Sequence, residues 1–154
     1  MPAFKINFFL QSVSVSLRHR KKLKSVLTQL INQEKKSFFS GEINVVFCND
    51  DYLLGLNTQF LKHDTLTDII TFDYSDGNNL MGDIFISVER VRDNANTFSQ
   101  SSSKELYRVI IHGFLHLCGY KDKAKEAKRI MTHKEDFYLE DLEKLINQSN
   151  EKNN

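Results

Sequence analysis

The alternation of apolar and polar residues along the chain predicts that strands and helices follow one another. Strands are predicted where β-branched and aromatic residues cluster, at residues 4–10, 43–48, 68–74 and 82–88. Helices are predicted where apolar residues recur every three or four positions, at residues 17–33, 49–60, 88–99, 104–118 and 124–147. The pattern indicates an α/β (α+β) domain with a small mixed sheet of four strands and about five helices.

Length and composition predict one domain. The chain has 154 residues, 40% of them hydrophobic, with 12 Phe and no Trp, which is enough to bury an aromatic-rich core. We expect a single domain over residues 1–147 and a polar, disordered tail over residues 148–154, because the tail lacks apolar residues to bury.

Several sequence features predict a cytoplasmic protein that does not enter a membrane. The chain has no run of about 18 apolar residues, and its first residues lack the apolar region and cleavage site of a signal peptide. Cys48 and Cys118 are far apart and lack the paired spacing of a disulfide framework or a metal ribbon. The net charge of +1 leaves RNA binding open, although basic residues cluster at 18–24 and 121–129.

The segment 112–122, HGFLHLCGYKD, carries the main candidate chemistry. His112 and His116 are four residues apart, so on a helix their imidazoles lie on one face and can reach one metal ion. Gly119 can end that helix in a left-handed conformation, and the chain can then turn back and bring Asp122 to the same ion. Zincins that continue past their second histidine to a glycine and a third ligand use the same offsets.

A histidine pair in so apolar a helix could instead be a hydrogen-bonded part of the core. Two histidines at ligand spacing, a helix-ending glycine and a third donor at the right offset favour a metal site. Cys118 lies about 160° around the helix from His116, so we expect it in the core. We expect Met131 to be core and His133 to lie on the surface.

Gly113 stands where metalloproteases of the H-E-x-x-H type have the glutamate that serves as general base. Cleavage of a peptide by that route is therefore disfavoured, whereas RNA supplies its own 2′-hydroxyl as a nucleophile. Other side chains that could assist are those of Asp68, Asp83, Glu105 and His63, although each is more often structural at such positions.

The chain resembles the YbeY family of metal-dependent endoribonucleases. Segment 112–122, with Met131 after it, is similar to the family pattern H-G-x-L-H-L-x-G-Y-D-H followed by a methionine in the next helix. Segment 67–72, TDIITF, resembles the family strand T-[ND]-[VI]-L-[ST]-F, and the segment 80–84, LMGDI, resembles L-G-D-I. Segment 57–60 is similar to N-x-x-[YF], and the pieces keep their order over residues 43–138.

The resemblance implies a zincin-like helix that binds one Zn²⁺ per chain through His112, His116 and Asp122. It also implies cleavage of single-stranded RNA, maturation of the 3′ end of 16S rRNA, ribosome quality control and contact with the small ribosomal subunit. The chain departs from the family pattern at Asp122, which replaces a histidine, at Lys121, which replaces an aspartate, and at Leu61, which replaces an arginine. Lys62 or His63 could substitute for that arginine.

The residues and the resemblance together leave three classes of function. The first is a metal-dependent endoribonuclease, which the resemblance and the missing glutamate favour together. The second is a metallohydrolase of another substrate, such as a peptide. The third is a ribosome-associated binding protein in which the metal is structural, for which the leucine at position 61 is the main argument. The sequence does not fix the oligomeric state.

Overall fold

The computed structural model describes residues 3–61 and 67–152 as a four-stranded sheet with five helices. The strands are β1 (Ala3–Leu10), β2 (Ser40–Cys48), β3 (Ile69–Asp73) and β4 (Asn79–Ser87). The helices are α1 (Arg20–Glu34), α2 (Asp50–Leu61), α3 (Val88–Thr97), α4 (Ser102–Leu117) and α5 (Lys125–Lys152). The predicted class, a mixed sheet with about five helices, is confirmed.

The sheet has the strand order β1-β2-β4-β3. Strands β1, β2 and β4 are parallel, and β3 pairs with β4 in the antiparallel direction. Strand β3 is therefore an edge strand, and helix α4 packs against both β3 and β4. This arrangement places α4 on the side of the sheet formed by β4 and the edge strand β3.

The core lies between the sheet and helices α1, α4 and α5. The apolar positions predicted for α1 are all fully buried, namely Leu23, Val26, Leu27, Leu30 and Ile31. On the opposite face of the sheet, α2 covers a smaller cluster made by Cys48, Leu53 and Ile70. Helix α4 is apolar over most of its circumference, where it packs against the sheet and helices α1, α3 and α5.

Some element boundaries differ from the sequence-based expectation. Strands β2 and β4 begin three residues earlier than predicted, at Ser40 and Asn79, because these residues pair with each other and extend the ladder. Gly41 makes this pairing possible, since a side chain there would meet the backbone oxygen of Leu80 at 2.2 Å. The sequence Ser-Gly-Glu lacks β-formers, so the pattern gave no indication of it.

Helix α5 continues to Lys152, five residues beyond the end that we predicted at residue 147. The predicted end was wrong because no glycine or proline occurs in the helix to stop it. The division into a domain of residues 1–147 and a tail of residues 148–154 stays a prediction. Among the described residues, no helix combines the length and the apolar character that crossing a membrane requires.

Candidate metal centre

Helix α4 presents its two histidines on one face. Its first turn is capped by Ser101, whose Oγ accepts a hydrogen bond from the backbone N–H of Lys104 at 3.1 Å. His112 and His116 follow in the last two turns, and their ring centroids lie 4.5 Å apart. The imidazoles are partly exposed, whereas Ile110, Ile111 and Phe114 around them are fully buried.

Gly113 lies where α4 packs most closely on the sheet. A methyl group at this position would meet Cδ1 of Ile69 and both Cδ1 and Cγ2 of Ile84, each at 3.0 Å. The position therefore faces the core beneath the helix. A glutamate side chain at this position would require Ile69, Ile84 or the helix to shift.

The turn after α4 returns the chain to the histidines. Gly119 has a positive φ of +102°. Its backbone N–H donates a hydrogen bond to the carbonyl oxygen of His116 at 2.9 Å, and the backbone N–H of Tyr120 donates to the carbonyl oxygen of Leu115 at 3.0 Å. These two bonds form a Schellman motif, in which glycine at the left-handed position reverses the chain. The predicted glycine cap is thus confirmed, and it brings Asp122 back beside the helix.

The side chains of His112, His116 and Asp122 converge at this point. The Oδ2 atom of Asp122 lies 3.1 Å from Nε2 of His112 and 3.2 Å from Nε2 of His116. One donor atom from each residue lies within 4.8 Å of the others, so the three could hold a metal ion. Two imidazoles and one carboxylate form a donor set typical of transition-metal sites that keep a position open for water or substrate.

The second nitrogen of each imidazole is bound elsewhere. Nδ1 of His112 lies 2.6 Å from Oε2 of Glu135, and Nδ1 of His116 lies 2.9 Å from the carbonyl oxygen of Tyr120. Both partners accept hydrogen bonds, so each Nδ1 can donate to its partner, and the two Nε2 atoms are the nitrogens that would bind a metal ion. This arrangement fits a metal ion, because histidine ligands in proteins nearly always donate their other N–H to such a partner.

Tyr120 is fixed from outside the turn by helix α1. Its Oη atom donates to Oε1 of Glu34 at 2.5 Å, while the hydroxyl of Tyr138 and the ammonium of Lys134 also bind the Glu34 carboxylate. Burial would raise the pKa of Glu34, but hydrogen bonds from Tyr120, Tyr138 and Lys134 and the lysine charge together lower it. The ionised carboxylate therefore anchors the residue whose carbonyl holds His116.

The centre lies in an acidic environment. Burial opposes protonation of His112, but its hydrogen bond to Glu135 and the charges of Glu135, Asp122 and Asp68 outweigh this and raise its pKa. Burial also raises the pKa of Asp68, although the His112 charge partly offsets the effect. A proton and a metal ion compete for the same Nε2 atom of His112, so we expect metal affinity to fall at acidic pH.

A cavity of about 690 Å³ opens in front of the centre, between α4, β3 and the end of α2. Besides the three donors, its lining includes three residues that the sequence singled out: Leu61, Asp68 and Glu105. Burial raises the pKa of Glu105. Position 61, where the family pattern has arginine, therefore does face this cavity.

Other candidates from the sequence lie away from the centre. The side chain of Asp83 accepts a hydrogen bond from Asn44 on the neighbouring strand, at 3.1 Å. Met131 and Cys118 are buried in the core, as expected, and His133 is exposed on α5. Lys62 and His63, which could replace the family arginine, lie outside the described residues.

Sequence reasoning missed two side chains and one carbonyl that support the centre: Glu135, Arg108 and the carbonyl of Tyr120. Glu135 is only 7% exposed and lies on the face of α5 that also carries Met131 and Tyr138, both buried. A charged residue amid apolar ones at helical spacing was the available signal. No sequence pattern could indicate the contact between the Tyr120 carbonyl and His116, because this contact depends on the backbone geometry of the turn.

A small α+β domain with donor atoms for a metal ion beside an open cavity has the features of a metal-dependent hydrolase. The family model described as Endoribonuclease YbeY matches residues 5–143. This chain belongs to that family, which confirms the resemblance found in the sequence.

Curated relatives agree with this assignment. Endoribonuclease YbeY of Flavobacterium johnsoniae is 50% identical over 131 residues, which cover 85% of this chain and 92% of the relative. Endoribonuclease YbeY of Flavobacterium psychrophilum is 54% identical over 113 residues, or 73% of this chain and 79% of the relative. A Thermotoga maritima protein solved in solution is 28% identical, with a TM-score of 0.60 over 94% of this chain and 93% of that one.

Proposed function

We propose that this chain is a metal-dependent, single-strand-specific endoribonuclease that acts in rRNA maturation. The observation that carries the proposal is the convergence of His112, His116 and Asp122 beside the cavity, in a chain whose relatives are named endoribonucleases. The same proposal includes four further points: the substrate is the 3′ end of 16S rRNA, the protein acts in ribosome quality control, it contacts the small ribosomal subunit, and it is located in the cytoplasm.

In this proposal the three residues hold one Zn²⁺ through two Nε2 atoms and Oδ2. When bound, such an ion polarises a phosphoryl oxygen and acidifies water. Imidazole donors suit Zn²⁺, and the carboxylate of Asp122 makes the site more hospitable to Mn²⁺ than three histidines would. We propose Zn²⁺ as the native ion.

We propose two carboxyl groups of the cavity as candidates for proton transfer. Asp68 and Glu105 both line it, and burial raises the pKa of each. A carboxyl group with a raised pKa is a better proton donor and acceptor near neutral pH than an ordinary one. We propose that the Asp68 carboxylate accepts the proton of the attacking oxygen, because Asp68 lines the same cavity as His112, His116 and Asp122.

Peptide hydrolysis is not favoured by this site. The position of a protease glutamate is Gly113, which has no side chain to act as a base and packs so closely on Ile69 and Ile84 that even an added methyl group would lie 3.0 Å from them. Cleavage of RNA needs no such glutamate, because the nucleophile can come from the substrate. The geometry thus agrees with the family assignment.

The proposal is tested by cleavage assays on a single-stranded RNA, its duplex form and a mixed peptide pool. Wild-type protein should cleave the single strand, lose this activity after treatment with a chelator and regain it with Zn²⁺ or Mn²⁺. His116→Ala should not cleave the single-stranded RNA even when Zn²⁺ or Mn²⁺ is added. His133→Ala, the same change at an exposed histidine, should cleave it like wild type. Cleavage of RNA that resists the chelator, or cleavage of peptides alone, would contradict the proposal.

A further inference from the structure

The imidazole of His112 is held from behind by a carboxylate on a different helix. Nδ1 of His112 lies 2.6 Å from Oε2 of Glu135, the shorter of the two contacts that fix the histidines. The Glu135 side chain is 10% exposed. Burying a carboxylate is unfavourable unless hydrogen bonds and opposite charge compensate it, so this residue needs partners.

Arg108 provides the compensating charge. It lies one turn before His112 on α4, and its Nη1 donates to Oε1 of Glu135 at 3.1 Å. Its Nη2 donates to Oδ1 of Asp136 at 2.7 Å, so one guanidinium joins two neighbouring carboxylates of α5. The planar guanidinium makes directional bonds, and it therefore fixes the orientation of the Glu135 carboxylate as well as its charge.

We infer that Glu135 is a positioning residue of the metal centre and that Arg108 holds it in place. Glu135 accepts the Nδ1 proton of His112, and this selects the imidazole form whose Nε2 atom is available to bind the metal ion. A second helix, α5, thereby sets the geometry of a ligand carried by α4. The inference rests on the proposed metal centre and adds to it a dependence on α5.

The two histidines are predicted to respond differently to mutation. His116 is held by a backbone carbonyl, which no substitution at Tyr120 removes, whereas His112 depends on one side chain. Loss of Glu135 should therefore release the His112 ring and leave the His116 ring unchanged. A side chain that only stabilised the fold would not distinguish the two rings.

The first test measures Zn²⁺ affinity by competition with a chromophoric chelator. Glu135→Ala should bind Zn²⁺ about 10- to 100-fold more weakly than wild type, the usual effect of removing such a partner of a ligand. Glu135→Gln should lose less, because its amide oxygen can still accept the Nδ1 proton. Glu140→Gln removes an exposed carboxylate of the same helix that pairs with Lys144, and it should match wild type.

The second test identifies the protonated nitrogen of each imidazole by long-range ¹H–¹⁵N NMR on chelator-treated protein at alkaline pH. Wild type should carry the His112 proton on Nδ1, and Glu135→Ala should show a mixture of Nδ1–H and Nε2–H forms. His116 should stay in its Nδ1–H form in both proteins. If Glu135→Ala fails to fold, the role of Glu135 is still tested by the Zn²⁺ affinity of Glu135→Gln and by the position of the His112 proton in the wild-type spectrum.

The outcomes separate this inference from the proposed function. If wild type does not bind Zn²⁺, the metal centre itself is wrong and the inference fails with it. If folded Glu135→Ala binds Zn²⁺ within about twofold of wild type, against the 10- to 100-fold loss expected, only the role of Glu135 is wrong. A wild-type spectrum with the His112 proton on Nε2 would also overturn that role.

Discussion

Gly113→Ala tests whether the close approach of α4 to the sheet positions the histidines. The new methyl group would lie 3.0 Å from each of three side-chain carbons of Ile69 and Ile84. Carbon atoms in proteins pack best at about 3.5–4.0 Å, so the helix or its neighbours must move by several tenths of an ångström. Because His112 adjoins Gly113, that movement should also weaken metal binding.

The size of the effect follows from two opposing terms. Replacing glycine with alanine inside a helix favours folding by about 1 kcal/mol. Overpacking a dense core costs about 1–3 kcal/mol. We therefore expect Gly113→Ala to lower the free energy of unfolding by about 1 kcal/mol. At a helical site without close neighbours, the same substitution would raise the free energy of unfolding by about 1 kcal/mol.

A double-mutant cycle with Ile84→Val tests the cause, because valine lacks Cδ1, one of the three atoms that the new methyl group would meet. Alone, Ile84→Val should cost about 0.5–1.5 kcal/mol in urea unfolding. In the Gly113→Ala background it should cost at least about 0.5 kcal/mol less. If Gly113→Ala stabilises the protein and the two changes are additive, the contact does not limit the approach of the helix.

Three further predictions concern the surroundings of the centre. The pKa of Glu34 is lowered in the folded chain, so its contribution to stability is present above its unfolded-state pKa and is lost as pH falls through the folded value. Urea unfolding of Glu34→Gln should therefore depend less on pH in the acidic range than wild type. Gly119→Ala should lower the free energy of unfolding by about 1–3 kcal/mol, because φ is +102° there, whereas Gly55→Ala, also in open space but helical, should raise it. Elemental analysis should find no bound metal in Asp122→Ala and about one ion per chain in Asp122→His. If the Asp122→Ala variant retains its metal ion, Asp122 is not a ligand.

The parts of the site that the sequence predicted are those that depend on short-range geometry. Four-residue spacing brings His112 and His116 together on any helix, and the glycine that follows them sets the turn that returns Asp122. The contact between His112 and Glu135 spans 23 residues and exists only because α5 packs on α4. Its register depends on the whole core, so no local pattern encodes it.

The fold shows the same division. Strands rich in Ile, Val and Phe, and the amphipathic α1, were predicted from periodicity. The early starts of β2 and β4 were not, because Ser40 and Asn79 extend the sheet through pairing with each other. Such pairing is a tertiary contact, and it outweighs the weak preference of these residues for β-strands.

The central claim is that one metal ion at His112, His116 and Asp122 makes this chain an endoribonuclease. It is tested most directly by adding Zn²⁺ in small steps to chelator-treated protein and measuring the cleavage of single-stranded RNA at each step. Activity should rise in proportion to added metal and stop rising at about one ion per chain. Full activity before any metal is added, or no activity when all sites are filled, would contradict the claim.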